Sequence, residues 1–274
     1  MNYRTVMVLQ LIFGVGMAVS GQNFEDRREF NKSVHVNKDM TLEVINKYGT
    51  VNITAWDKDS VSVRAEIEAN SSSLDHLHKM LQGIDINITE TSFQIRAETE
   101  FRQNFDLLLE SFKGMTNKLI PYESRLQINY FISVPEYLGM RITNKYGDVY
   151  MENNAGKFSL TLSNGSFRAN SLDGTNNIEL SFCNATINRI SSGYVNASFS
   201  DIEIGESRDI KINSISSRFE LRKAGTVNVE SKRDKFYIDR ISALKGDSYF
   251  TDYRIDELEK EMDLVVKYGS LNAG

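Results

Sequence analysis

Five carboxylates on neighbouring stretches of one repeat are the side chains best placed for chemistry: Asp201, Glu203, Glu220, Asp234 and Asp239. Converging carboxylates can cleave a glycosidic bond, or hold Ca²⁺ beside a basic residue. On adjacent turns of a coil these five could approach one another, which gives a polysaccharide-active β-helix enzyme as the alternative reading. A solvated charged face explains the same residues without catalysis. The pair His76-x-His78 has the residue type of a metal site, but two histidines two apart on a helix diverge and no third ligand accompanies them. Both read as solvent-exposed. Cys183 is the single cysteine, so it forms no internal disulfide. A nucleophilic thiol needs a base in a cleft; between Phe182 and Asn184, Cys183 reads as a small residue filling a turn. Asn52, Asn87, Asn164, Asn184 and Asn196 open Asn-x-Ser/Thr triplets, which could carry glycans in a eukaryotic secretory route. They read instead as turn residues. No catalytic, metal or cofactor-binding residue is assigned, no cofactor is called for, and no ligand-binding residue stands out.

What would position such groups is a repeat. Val149, Phe167, Ala185, Ile202, Phe219, Phe236 and Tyr253 form one column, and Met151, Ala169, Ile187, Ile204, Leu221, Ile238 and Ile255 a second, with steps of 18, 18, 17, 17, 17 and 17 by subtraction of those numbers. A fixed short period carrying alternating strands predicts a solenoid. The expected fold is all-β: a single-stranded β-solenoid, β-helix-like, with turns of about 17 residues and two strands per turn. The second strand is read from Phe158 and Leu160, Ile178 and Leu180, Val195 and Ala197, Ile210 and Ile212, Val227 and Val229, and Met262 and Leu264. Corners are expected at Asn164-Gly165, Asp173-Gly174, Ser192-Gly193, Gly205, Gly225 and Gly246, where Gly and Asn/Asp supply positive φ. The turn around Leu244–Asp247 is the least regular. A β-sandwich has no reason to repeat one column seven times.

The N-terminal half follows the same logic with interruptions. Phe24 to Phe30 reads as a charged extended lead-in, and Val34–Val36 and Leu42–Ile45 as short strands. Asn46-Lys47-Tyr48-Gly49 makes a first turn before alternating Val51, Ile53 and Ala55, and Trp56 packs at a strand end. Ser73 is placed to cap a helix with Leu74, Leu77 and Leu81 on one face and Gly83 at its end. Phe105, Leu108, Leu109 and Phe112 have helical spacing. Pro135 stops the long strand Leu126–Val134. The division expected is a leader over 1–20, a β-rich region over 24–137 with helical insertions near 71–82 and 102–120, continuous with the coil, and regular repeats over 138–274.

Met1–Arg4, an apolar Val6–Val19 and small residues at Ala18-Val19-Ser20 predict a secretory signal peptide, too short for a span. No later stretch reaches the ~18 apolar residues of a membrane helix. A net charge of −5 without a dense basic patch argues against nucleic acid.

Two stretches then carry a resemblance. Ile132-Ser133-Val134-Pro135 followed by Met140-Arg141-Ile142-Thr143-Asn144-Lys145-Tyr146-Gly147-Asp148-Val149, with the earlier Gly49-Thr50-Val51-Asn52-Ile53, resembles the DUF4097/DUF2807 group of bacterial envelope proteins, the "putative adhesin" families. The resemblance implies a β-helix-like fold and export to the periplasm or cell surface of a bacterium, and brings no catalytic residues. The expected function is that of a non-enzymatic, adhesin-like envelope protein binding a surface protein or glycan through an elongated β face. A structural or signalling accessory is indistinguishable by sequence. Lys267-Tyr268-Gly269-Ser270-Leu271 opens a further turn, so an exposed ladder edge is expected there, suited to end-to-end association.

Overall fold

The computed structural model describes residues 23–103, 105 and 125–274. The leader expected over 1–20 lies outside them, as does nearly all of the insertion expected over 102–120. β-Branched and aromatic residues alternate with polar ones along most of the chain, which suits a pleated surface with one buried face. The strands are β1 Phe24–His35, β2 Thr41–Lys47, β3 Val51–Trp56, β4 Ser60–Ser71, β5 Ile84–Glu90, β6 Gln94–Phe101, β7 Arg125–Pro135, β8 Gly139–Lys145, β9 Val149–Asn154 and β10 Phe158–Ser163. Six long strands and a short one follow: β11 Ser166–Ser181, β12 Asn184–Ser198, β13 Asp201–Ile215, β14 Arg218–Lys232, β15 Lys235–Tyr249, β16 Asp252–Lys267 and β17 Ser270–Ala273. One helix, α1 Leu74–Gln82, is present among the described residues.

The fold is a solenoid of stacked parallel turns with two ladders. One ladder runs β6, β2, β8, β10 and then the second halves of β11 to β16. The other runs β7, β3, β9 and then the first halves of β11 to β16, ending on β17. Both expected columns are in register: Phe219 faces Phe236, Phe236 faces Tyr253, and Leu221 faces Ile238. They extend backward, with Val51 opposite Val149 and Ile53 opposite Met151. All these side chains are buried. Like residues stack on like: the rings of Phe219, Phe236 and Tyr253 follow one another at 4.9 Å, nearly parallel.

Turn order in space differs from order in sequence. The β2–β3 turn lies between the β6–β7 turn and the β8–β9 turn. From β3 the chain doubles back through β4, antiparallel to β7, with β1 antiparallel outside it, and β5 runs antiparallel beside β6. These antiparallel strands border the first turn on both ladders, where parallel edges would otherwise be exposed. The lead-in expected over Phe24–Phe30 is therefore part of a full strand, because its polar residues pair along β4.

A further expectation is corrected. In the second ladder Phe158 faces Asn176, while Ile178 faces Leu160, so the expected pairs slip by two residues there. The Leu244 turn is irregular as expected: its register against β16 shifts between Ile241 and Ala243 and Gly246 has positive φ, although Leu244 itself still pairs with Val227 and Met262. On α1, Ser73 caps as expected, its Oγ accepting from His76 N–H at 3.5 Å. The buried face is Leu77, Met80 and Leu81, and Leu74 is exposed.

The sharpest correction concerns the corners. Of the expected corner residues Asn164, Gly193 and Gly246 do have positive φ, but Gly165, Gly174, Gly205 and Gly225 do not, and along one corner it falls instead on Tyr48, Tyr146, Phe182, Phe199, Ser216, Arg233, Phe250 and Tyr268 as well as Asn164. Each residue along that corner is one turn from the next: Tyr146 N–H donates to Ser163 O, Asn164 N–H to Ser181 O, and Phe182 N–H to Ser198 O. The glycine after the tyrosine serves close approach instead. A Cβ on Gly147 would lie 1.9 Å from the Gly49 carbonyl oxygen.

From Cys183 onward that glycine column becomes polar and forms its own ladder. Cys183 N–H donates to Ser200 Oγ (3.1 Å), Ser200 N–H to Ser217 Oγ (3.2 Å) and Ser217 N–H to Asp234 Oδ1 (2.6 Å). Asp234 N–H reaches Thr251 Oγ1 at 3.4 Å. Buried corner amides are thereby satisfied by the following turn.

Candidate functional site

The expected carboxylates do not converge. Glu203 and Glu220 are adjacent in register, but Arg222 engages Glu203 and Arg218 engages Glu220. Asp234 points inward, where it accepts from Ser217 N–H, Lys232 N–H (2.9 Å) and Ser214 Oγ–H (2.8 Å). Its burial pushes the carboxyl up against the pull of those donors. Asp201 and Asp239 are exposed on the outside. A carboxylate pair flanking one bond is not formed by these five residues.

The remaining candidates also have structural places. Cys183 is buried, its Sγ against Ser181 O (3.2 Å) and Leu162 O (3.4 Å), and burial raises its thiol pKa. A thiol shifted upward is a poor nucleophile. His76 and His78 lie on α1, and among the described residues no three His, Cys, Asp or Glu side chains cluster to hold a metal ion. Trp56 ends β3, its Nε1–H donating to Ser60 O at 2.7 Å. Of the asparagines read as turn residues, only Asn164 occupies a corner. Asn52, Asn87 and Asn196 lie inside strands, and Asn184 opens one. Strand periodicity outweighs turn preference at those positions.

A concavity lies on the outer face of β7, β3 and β9. It encloses about 590 Å³ and is lined by Tyr48, Thr50, Asn52, Asn129, Phe131, Tyr146, Asp148 and Tyr150 among others. A second groove of about 380 Å³ shares Asn52 and Tyr150 and continues along Thr54, Glu152, Arg168, Asn170, Thr186 and Asn188. The period-two pleat explains the lining: Val51 and Ile53 turn inward, so Thr50, Asn52 and Thr54 turn outward. Register then sets Phe131, Asn52, Tyr150, Arg168 and Thr186 in one row across successive turns.

The groove is held in place by its own contacts. Arg64 lies 4.4 Å over the Phe131 ring, and Arg168 lies 5.8 Å over the Tyr150 ring. Tyr150 OH donates to Asp148 Oδ2 at 3.1 Å, and Asp148 Oδ1 accepts from Ser166 N–H at 2.8 Å. Burial and the Asp148 carboxylate push the Tyr150 phenol up, so it stays a neutral donor. Asn170 Nδ2 donates to Asn153 Oδ1 (2.8 Å) and Asn188 Nδ2 to Asn170 Oδ1 (3.2 Å), forming an amide ladder. Aromatic faces, amides and hydroxyls along a straight row can hold an extended polyhydroxyl chain. The sequence reading missed this groove because Phe131 and Tyr150 belong to columns facing outward. Tyr150, Arg168 and Thr186 recur at the same step as the inward columns, but their mixed residue types give that column no common character, and Phe131 joins it only through the out-of-order β3.

No family model matches the chain, and no curated protein matches it. Among solved structures it is similar to a "putative adhesin" from Parabacteroides distasonis at 11% identity, covering 90% of this chain and 97% of the other, with a TM-score of 0.46. It is similar to a "putative lipid binding protein" from Parabacteroides distasonis at 10% identity, with 90% and 96% coverage and a TM-score of 0.37. A "putative adhesin" from Parabacteroides merdae aligns at 6% identity, with 90% and 96% coverage and a TM-score of 0.38. No helix among the described residues is long and apolar enough to cross a membrane.

Proposed function

We propose that this is an exported, non-enzymatic envelope protein that binds an extended glycan along the outer face of its coil. The observation that carries the reading is the continuous groove shared through Asn52 and Tyr150, with aromatic, amide and hydroxyl lining. Solenoids present such rows because successive turns repeat the same outward positions. Charge supports a glycan over a nucleic acid, since the chain is net −5. The arginine-engaged Glu203 and Glu220 and the inward Asp234 favour holding a polymer over cleaving it.

The test is affinity electrophoresis of the purified protein in gels containing bacterial envelope polysaccharides, with reducing ends assayed in parallel. Retardation by a polysaccharide, lost at least tenfold in the Phe131→Ala/Tyr150→Ala double variant with an unchanged circular dichroism spectrum, supports the reading. Release of reducing ends, or equal retardation of the double variant, defeats it.

A further inference from the structure

The positive-φ corner is an exposed ridge of aromatic rings with a gap. Tyr48 stacks on Tyr146 at 5.5 Å, Phe182 on Phe199 at 5.0 Å and Phe250 on Tyr268 at 5.2 Å. Bulky residues rarely adopt this backbone region, at a cost of about 1–3 kcal/mol each. Their recurrence at one solvent-facing corner calls for a reason beyond packing. Between the first two pairs the ladder position is taken by Asn164, which is exposed and also has positive φ.

We propose that the gap at Asn164 is a binding slot for a single pyranose ring bearing a carboxylate, with Tyr146 and Phe182 as its walls. Tyr146 and Phe182 are two turns apart, roughly 9.6 Å along the stack, which is about twice the stacking distance seen in the neighbouring pairs. That leaves room for one further ring between them. Both walls are accessible, Tyr146 46% and Phe182 58% exposed. Each has its other face covered, by Tyr48 and by Phe199. The Asn164 amide at the floor offers a donor and an acceptor to ring hydroxyls. The Lys145 ammonium lies 4.9 Å over the Tyr146 ring. No carboxylate pairs with Lys145 among the described residues, so a ligand carboxylate can. The slot shares Tyr146 with the end of the groove on the flat face, but its floor and second wall, Asn164 and Phe182, lie outside that groove.

The probe is soluble alginate, a polyuronate, with neutral dextran as control, measured by isothermal titration calorimetry on the full chain. Asn164→Tyr fills the gap with the residue type that the same register carries at Tyr146, so it continues the stack. Wild type is expected to bind alginate more tightly than dextran. Asn164→Tyr should lower alginate affinity at least tenfold with an unfolding temperature equal or higher, Phe182→Ala should lower it severalfold, and Lys145→Gln should erase the preference for alginate. Absence of alginate binding by wild type, equal binding of dextran, or undiminished binding by Asn164→Tyr overturns the slot. Alginate binding lost in Phe131→Ala/Tyr150→Ala but kept in Asn164→Tyr would defeat the slot and leave the groove standing. The converse pattern separates them the other way.

Discussion

Tyr48 and Tyr146 stack ring on ring, 9° between planes, across the point where the β2–β3 turn meets the β8–β9 turn. The entire N-terminal excursion separates them in the chain. Each sits in the same Asn-Lys-Tyr-Gly corner, and the Asn of each corner ties backbone to backbone: Asn46 Nδ2 donates to Ile128 O at 2.9 Å, and Asn144 Nδ2 to Gly49 O at 2.9 Å. The two corners thus join turns that are out of sequence order. Truncating either tyrosine to Ala should destabilise the protein by about 1–2 kcal/mol, with a coupling of about 0.5–1.5 kcal/mol in the double variant. Urea unfolding of the four proteins measures this; strictly additive losses would mean the stack contributes nothing.

Close backbone approach makes Gly147 irreplaceable where Gly139 is not. Its added Cβ would meet the Gly49 carbonyl at 1.9 Å, while a Cβ on Gly139 finds its nearest neighbour, Thr41 Oγ1, at 3.5 Å. Gly147→Ala should therefore cost about 3 kcal/mol or more, because the turns must separate and the ladder with them. Gly139→Ala should lie within about 1 kcal/mol of wild type. Equal thermal stability of the two variants would contradict this account.

Interior and ridge aromatics should part company in the same assay. Phe236 is fully buried between Phe219 and Tyr253, whereas Phe199 is 53% exposed. Phe236→Ala should cost about 3–5 kcal/mol, from lost transfer free energy and the cavity left behind. Phe199→Ala removes one stacked, solvated ring and should cost about 1 kcal/mol. Comparable losses in guanidinium melts would show that the ridge, too, is a packing element.

The inward columns were legible because apolar residues at a constant step have only one economical arrangement, each turn on the last. Phe219, Phe236 and Tyr253 could be placed from their spacing. The space order of the first turns could not, since nothing in β2 or β3 marks them as lying between strands that follow much later; that emerges from the pairing of Val51 with both Tyr130 and Val149. The corner was misread for a local reason. At the expected corner Asn164-Gly165 the ladder needs the missing Cβ of Gly165, which would lie 2.0 Å from the Gly147 carbonyl oxygen, and the positive φ sits on Asn164 before it; at the same place in other turns it sits on residues such as Phe182 and Phe199, which no turn preference marks. The groove escaped because outward positions tolerate many residue types, so Phe131 and Tyr150 break no pattern.

Asp234 should make the protein's stability depend on pH in a direction set by its burial. Its neighbours in the same ladder are Ser217 and Thr251, whose hydroxyls accept an N–H without carrying charge. Burial raises the folded carboxyl above its ordinary value of 3.8. A group raised in the folded state contributes fully below the unfolded pKa, and that contribution is lost as pH rises through the folded pKa, here upward from the ordinary carboxylate range. Each unit of elevation corresponds to about 1.4 kcal/mol lost at neutral pH. Asp234→Ser keeps an acceptor for Ser217 N–H and removes the titration. The stability of the variant relative to wild type should therefore increase between pH 3.5 and pH 7 when both are unfolded in urea across that range. If the relative stability falls with pH instead, the donors from Ser217, Lys232 and Ser214 outweigh burial and hold the carboxylate ionised.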